Sequence, residues 1–121
     1  MLKLELLPQT LTVCKVERLD GFDLSGLCFI GNTDAELSLV CETEMVPANT
    51  LAREDGWRAM RVAGTLDFAL TGILSGLAGA LAGAKIGIFA VSTYDTDYLL
   101  VKKENLDRAV EVLKEAGYRF D

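Results

Sequence analysis

The sequence predicts an α+β protein of the ferredoxin-like class, in which helices cover one face of an antiparallel sheet. Three observations favour this fold. Residues 57–121 show the element order β-α-β-β-α, the residues before them show short strands, and the two parts share a weak internal repeat. With 121 residues, half of them apolar, the chain is long enough for one core or for two small sheets that share one.

The first strands lie on either side of Pro8. Leucines and valines alternate with polar or smaller residues at 4–6 and again at 11–13, which predicts two short strands interrupted by the proline.

A hairpin follows. Residues 27–31 and 36–42 have the composition of strands, and the turn-forming residues 32–34 lie between them. The polar segment 47–56 is the natural linker to the second part of the chain.

The second part has a clearer pattern, which predicts these elements: a strand over 57–62, a helix over 68–84, a strand over 86–92, a turn over 93–96 and a strand over 97–102.

The last helix is predicted at about 104–116 because its apolar residues recur at helical spacing. Lys114 lies in its final turn and Gly117 just past its end, as is typical of a helix C-terminus. Residues 118–121 follow as a short terminal strand. The spaced apolar residues are Leu106, Ala109, Val110 and Leu113.

The internal repeat has two parts. Residues 22–27 align with 68–73 at an offset of 46, whereas 29–33 align with 89–93 at an offset of 60 and 37–40 with 98–101 at 61. The change in offset means that the first copy lacks about fourteen residues, nearly four helical turns. We therefore expect the first copy to be degenerate and to lack its first helix.

The predicted helix over 68–84 carries no charged residue, which raises the alternative of a membrane span. Asp67 and Lys85 bracket only about 25 Å of helix, which is shorter than a bilayer requires, and a strand hairpin follows. The leucines gather on one side of the helix, as packing on a sheet demands. We therefore predict no membrane association.

The opposite side of this helix carries glycines. Each costs a helix about 1 kcal/mol relative to alanine, and close approach of another backbone is the usual compensation. The hypothesis is that this side packs against the same helix of a second copy in a homodimer. The proposed interface comprises Gly72, Gly76, Gly79 and Gly83.

Composition excludes several functions. Twelve basic against eighteen acidic residues give a net charge of −6, which is the wrong sign for binding nucleic acid. Without histidine, neither a Ser-His nor a Cys-His nucleophile can form. No dinucleotide or phosphate-loop motif occurs either, so we predict neither an enzyme nor a cofactor.

Three cysteines, Cys14, Cys28 and Cys41, lie in apolar surroundings without a CxxC motif. This pattern is typical of buried thiols in a reducing compartment. The first ten residues lack the organisation of a signal peptide, so the sequence predicts a cytoplasmic protein.

Two segments have the chemistry to hold a zwitterion. At the strand-to-helix connection 64–68, free N–H groups of a helix N-terminus can bind a carboxylate. At 90–97, side-chain oxygens and carbonyls can accept hydrogen bonds from an ammonium group. Alternatively, Asp67 is only a helix N-cap, and Asp95 and Asp97 only belong to a turn. A metal site at Asp95 and Asp97 lacks further ligands.

Several runs of the sequence resemble the small bacterial ACT-domain proteins, which are related to the regulatory domains of aspartate kinases and to the arginine-sensing CASTOR proteins. The resemblance rests on GWRAMRV at 56–62, GTLDF at 64–68, TGIL at 71–74 and above all FAVSTYDTDYLLV at 89–101, with TDAELSLVC at 33–41 in the first half.

The resemblance implies two ACT-like βαββαβ halves, a degenerate one over 1–56 and a complete one over 57–121. It also implies an amino acid bound between the loop that precedes the first helix and the facing strand. The residues that match these positions are Leu66, Asp67, Phe68, Thr71 and Gly72, then Ala90, Val91, Ser92 and Thr93, with Asp97 as a weaker candidate.

The expected function is therefore that of a non-catalytic, dimeric amino-acid sensor that acts through a separate regulated protein. One alternative is a structural or interaction module that keeps the fold without a ligand. The other is an enzyme such as a ferredoxin-like acylphosphatase, which the placement of Arg58 and Arg61 within a strand disfavours.

Overall fold

The computed structural model describes residues 2–64 and 72–120. Within them lie two α-helices and the strands of an α+β fold, which confirms the predicted class. The elements are β1 (Lys3–Val16), β2 (Cys28–Asn32), β3 (Leu37–Glu42), a 3-10 turn (Thr43–Met45), β4 (Thr50–Val62), α1 (Ile73–Gly83), β5 (Phe89–Ser92), β6 (Asp97–Lys102), a second 3-10 turn (Lys103–Asn105), α2 (Leu106–Glu115) and β7 (Arg119–Phe120).

The chain divides into two compact units. The smaller unit is Gln9–Trp57, and the larger unit consists of the residues before Gln9 and after Trp57. The long strands β1 and β4 contribute residues to both units.

In the larger unit, β4, α1, β5, β6, α2 and β7 follow one another as βαββαβ. The strand order is β1-β4-β6-β5, and β7 pairs in parallel with β1 at Lys3 and Leu4. Both helices share one core with the sheet, as expected for a ferredoxin-like fold. The buried residues of that core are Leu4, Met60, Val62, Leu77, Leu81, Ile86, Leu99, Val101, Ala109 and Leu113.

The smaller unit has the strand order β2-β3-β1-β4, with a core built on Cys14, Val16, Leu39 and Cys41. Its residues 9–57 are all described and contain no α-helix. The first helix is therefore missing, as predicted. The second is missing as well, because only residues 46–49 separate the 3-10 turn from β4.

The two hairpins repeat at a constant offset of 60 residues. Asn32 pairs with Leu37 as Ser92 pairs with Asp97. The predicted offset of 61 between 37–40 and 98–101 is therefore wrong by one residue. A shift of one residue would place every side chain of the strand on the opposite face. The proposed alignment of 22–27 with 68–73 lies mostly outside the described residues.

The predicted break at Pro8 is wrong, since β1 is continuous through it. Proline keeps an extended backbone and loses only one donor, and Pro8 is the residue at which β1 leaves the larger unit.

The predicted linker over 47–56 is also mostly strand, because β4 begins at Thr50. Its polar residues bond within the smaller unit: Asp55 Oδ1 accepts Thr12 Oγ1 at 2.7 Å and Arg53 Nη2 at 2.9 Å. Thr12 itself is fully buried.

Helix α1 begins later than predicted. Gly72 has φ 80°, in the left-handed region, so regular helix starts only at Ile73. The part of the prediction over 68–71 lies outside the described residues. At the other end, Lys85 has φ 61° and Ile86 N donates to Leu81 O, which delays the start of β5 to Phe89.

None of the described helices has the length and apolar character needed to span a bilayer.

Candidate functional site

The end of β4 is joined to the turn between β5 and β6 by a buried hydrogen bond. Thr96 Oγ1 donates to Val62 O at 2.8 Å, and only 6% of Thr96 is exposed. Val62 is followed by Ala63 and Gly64, which lead toward α1. The turn 93–96 and the strand-to-helix connection therefore start from the same end of the sheet.

The turn is ordered by its own hydrogen bonds. Thr93 N and Thr93 Oγ1 both donate to Thr96 O, at 2.9 and 3.0 Å. Ser92 Oγ donates to Asp97 Oδ1 at 2.6 Å. The Asp97 carboxylate is thus already paired, although it keeps further capacity to accept hydrogen bonds.

Strand β5 lies at the end of the strand order and presents alternate residues to opposite faces. Ala90 pairs with Leu99 of the helix-side core, so Ala90 and Ser92 lie on the face that carries the helices. Both are nevertheless exposed. The helices therefore leave this edge of their own face open.

The other face of β5 differs. Val91 pairs with Tyr98, and Arg61 lies 5.8 Å above the Tyr98 ring. Arg61 Nε also donates to Glu5 Oε1 at 3.0 Å. Hydrogen bonds to Tyr98 and Glu5 raise the pKa of Arg61, which keeps this side chain cationic.

The start of α1 offers hydrogen-bond donors. The first intrahelical bond runs from Gly76 N to Gly72 O at 2.8 Å. The N–H groups of Ile73, Leu74 and Ser75 precede it and have no carbonyl of the helix to bond, and the first turn contains no acidic side chain. Such a helix N-terminus favours an anionic group.

The expected ligand contacts fall into three sets. Leu66, Asp67, Phe68 and Thr71 lie outside the described residues. Gly72, Ala90, Ser92 and Thr93 are exposed, and Asp97 is half-buried. The side chain of Val91 lies on the opposite face from Ala90 and Ser92. Val91 could therefore contact a ligand on the face of Ala90 and Ser92 only through its backbone.

Thr96 belongs to the predicted segment 90–97, but the sequence did not predict that its hydroxyl donates to the end of β4. The Thr-x-x-Thr spacing of Thr93 and Thr96 accounts for the local bonds of the turn, whereas the partner of Thr96 Oγ1 is 34 residues away in the sequence.

The glycines of the proposed dimer interface are all exposed. A Cβ on Gly76 would meet Tyr118 Oη at 2.9 Å, whereas a Cβ on Gly79 or Gly83 would meet nothing within 4 Å. The described residues thus supply a neighbour for Gly76 alone. Gly72 precedes the helix and takes no part in its regular face.

Over residues 2–64 and 72–120, no three thiol or carboxylate groups are arranged to hold a metal ion.

Comparison with known proteins gives one family match: the model of the ACT domain matches residues 52–115. A segment of 59 residues is 37% identical to the human protein named cytosolic arginine sensor for mTORC1 subunit 1. That segment covers 48% of this chain and only 18% of the sensor.

Solved structures that are similar to almost the whole chain include two that differ widely in sequence identity. A crystal structure of a protein from Agobacterium tumefaciens is 31% identical, with a TM-score of 0.89, and the match covers 99% of this chain and 92% of that one. The ligand-free regulatory subunit of aspartate kinase from Thermus thermophilus is 8% identical, with a TM-score of 0.64 and coverage of 94% and 96%. The second likeness concerns the fold alone.

Proposed function

Because this chain belongs to the ACT domain family, we propose that it is a non-catalytic regulatory protein that binds an amino acid. The ligand lies between the connection 64–72 and the strand segment 88–93, and binding is passed on to a separate regulated protein. Similarity to the human cytosolic arginine sensor for mTORC1 subunit 1 supports this role. The cytosolic relative and the three free thiols support a cytoplasmic location.

The chemistry of the two segments fits the ends of an amino acid. Free N–H groups at the start of α1 suit the carboxylate. Ser92 Oγ, the Asp97 carboxylate and the backbone carbonyls of β5 suit the ammonium group. A site with donors on one side and acceptors on the other favours a zwitterion over a simple anion.

The observation that carries the proposal is the bond from Thr96 Oγ1 to Val62 O. It holds the turn after β5 beside the end of β4, and the connection 64–72 follows directly from that strand end. The connection 64–72 and the segment 88–93, which fifteen residues separate in the sequence, thereby serve one ligand.

Isothermal titration calorimetry against the twenty common amino acids at millimolar concentration tests this function. The informative variant is Ala90→Ile, which fills the open edge of the helix-bearing face. Isoleucine is the residue that the smaller unit has at the equivalent position 30, so β5 should tolerate it. The matched control is Ile30→Ala, another exposed position on an edge strand.

We expect wild type and Ile30→Ala to bind the same amino acid, and Ala90→Ile to bind it at least tenfold more weakly. Absence of heat with all twenty amino acids would contradict the proposal. It would favour the alternative of an interaction module that keeps the ACT fold without a ligand.

We also propose that the chain comprises two ACT-like halves, 1–56 and 57–121, and that it forms a homodimer through the glycine side of α1. The constant offset of the two hairpins supports the halves. The dimer is supported by an exposed, uncharged helix side on which Gly79 and Gly83 have no neighbour among the described residues.

Multi-angle light scattering of Gly79→Leu tests the dimer. Gly87→Leu is the control, because Gly87 is also exposed, also has open space around its Cβ, and lies outside the helix. We expect the mass of a monomer for Gly79→Leu and of a dimer for Gly87→Leu. A dimeric Gly79→Leu variant would argue against this interface.

A further inference from the structure

The three cysteines lie on one face of the sheet in the smaller unit. Cys28 of β2 is directly opposite Cys41 of β3, and Cys14 of β1 is opposite Leu39. Since residues that pair across strands share a face and residues two apart on a strand do too, all three thiols lie on the same side. Cys28 and Cys41 occupy one row, and Cys14 lies in the next.

The hydrogen-bond pattern of the hairpin defines how close Cys28 and Cys41 are. Thr33 N donates to Glu36 O at 3.0 Å, which makes 33 and 36 a hydrogen-bonded pair. Bonded and non-bonded pairs alternate along an antiparallel ladder, so 28 and 41 form a non-bonded pair. The Cα atoms of such a pair are about 4.5 Å apart, within the range that a disulfide spans.

Cys14 is outside this range. Its diagonal relation to Cys41 corresponds to a Cα separation of about 7–8 Å, beyond the reach of a disulfide without backbone movement. Its separation from Cys28 is two strand spacings, about 9–10 Å. The geometry thus distinguishes one pair among three thiols.

The two paired thiols differ in accessibility. Only 1% of Cys41 is exposed, whereas Cys28 is half-buried. Burial, reinforced by the neighbouring thiols of Cys14 and Cys28, raises the pKa of Cys41 to about 11. Cys28 is therefore the thiol that a reagent reaches first, whereas Cys41 is shielded from solvent.

The larger unit shows that the hairpin does not need thiols at these positions. At the offset of 60 residues, Cys28 corresponds to Ile88 and Cys41 to Val101, and both belong to an apolar core. Packing alone would accept the same aliphatic residues in the smaller unit.

We propose that Cys28 and Cys41 form a dithiol that a small-molecule disulfide converts into a cross-strand disulfide, with Cys14 left as a thiol. The Cys28 sulfur, as its thiolate, attacks one sulfur of the reagent, forms a mixed disulfide and displaces one small thiolate. The Cys41 sulfur then attacks the Cys28 sulfur and displaces the second. Two protons pass from the protein to the two small thiols, and two electrons reduce the reagent.

The test is to treat the full chain with glutathione disulfide, quench with acid, alkylate the denatured protein with iodoacetamide and measure intact and peptide masses. We expect one alkyl group instead of three, carried by Cys14, and a linked peptide pair that contains Cys28 and Cys41. Cys14→Ser should form the same disulfide and carry no alkyl group.

Two variants separate the two steps of the exchange and use residues that the larger unit has at these positions. Cys41→Val should accumulate the mixed disulfide at Cys28, and Cys28→Ile should leave both remaining thiols alkylated. The proposal is overturned if wild type carries three alkyl groups after oxidation, keeps the mixed disulfide at Cys28 with Cys41 alkylated, or links Cys14.

Discussion

Thr96 Oγ1 donates a buried hydrogen bond of 2.8 Å to Val62 O, and this bond connects the turn after β5 to the end of β4. It unites two segments that the sequence separates, and both belong to the proposed amino-acid site. The contribution of this bond to the stability of the protein is therefore the first property to test.

Replacing Thr96 by valine keeps the shape and removes the donor. The Val62 carbonyl is then buried without its partner, so we expect the free energy of unfolding to fall by about 1–2 kcal/mol. Urea denaturation measures this. Thr93→Val is the control and should cost only a few tenths of a kcal/mol, because Thr96 O still accepts the backbone N–H of Thr93. Equal losses in the two variants would contradict a special role for Thr96.

The sequence predicted the hairpins and the βαββαβ order because apolar alternation and turn residues mark them locally. Residues 27–42 and 97–102 owe their conformation to such local signals. Four features escaped because their causes are not local. The polar start of β4 bonds to a distant threonine, β1 passes straight through Pro8, the left-handed Gly72 delays α1, and Thr96 bonds to another strand.

The glycines of α1 provide a second prediction. Gly79→Ala should stabilise the monomer by about 1 kcal/mol, because alanine is the better helix former and its Cβ enters open space. Gly76→Ala should gain less, since its Cβ would lie 2.9 Å from Tyr118 Oη. Thermal unfolding at concentrations where the protein is monomeric measures both.

The same comparison in a Tyr118→Phe background isolates the hydroxyl. There the two alanine variants should gain equally. A Gly76→Ala variant that remains less stable than Gly79→Ala without the hydroxyl would show that another contact limits Gly76.

Stability at alkaline pH depends on Cys41. Its pKa is about 11 in the folded protein against an ordinary value of 9.0. The unfolded chain loses this proton first, so stability is complete below pH about 9 and falls as the pH rises to about 11, by on the order of 2 kcal/mol. Denaturation of wild type and Cys41→Val at pH 8 and pH 11 measures the difference. An equal fall in the free energy of unfolding of both proteins would show that Cys41 does not cause the loss of stability.

Substitutions on the two faces of β5 should differ in their effect on amino-acid binding. Val91→Thr changes a side chain on the face of Tyr98 and Arg61, away from Ala90 and Ser92. We expect its dissociation constant for the amino acid to stay within about twofold of wild type, since a contact that is not made contributes nothing. A tenfold increase of the dissociation constant in calorimetry would indicate that the ligand lies on the face of Tyr98 and Arg61, and would contradict the proposed site.

The most direct test of an amino-acid site between the start of α1 and β5 is an NMR titration of isotopically labelled protein with the amino acid found by calorimetry. We expect saturable shifts of the backbone amides at 72–75 and 90–93, with little change in the smaller unit. Shifts confined to Gln9–Trp57, or no saturable shift at 72–75 and 90–93, would contradict it.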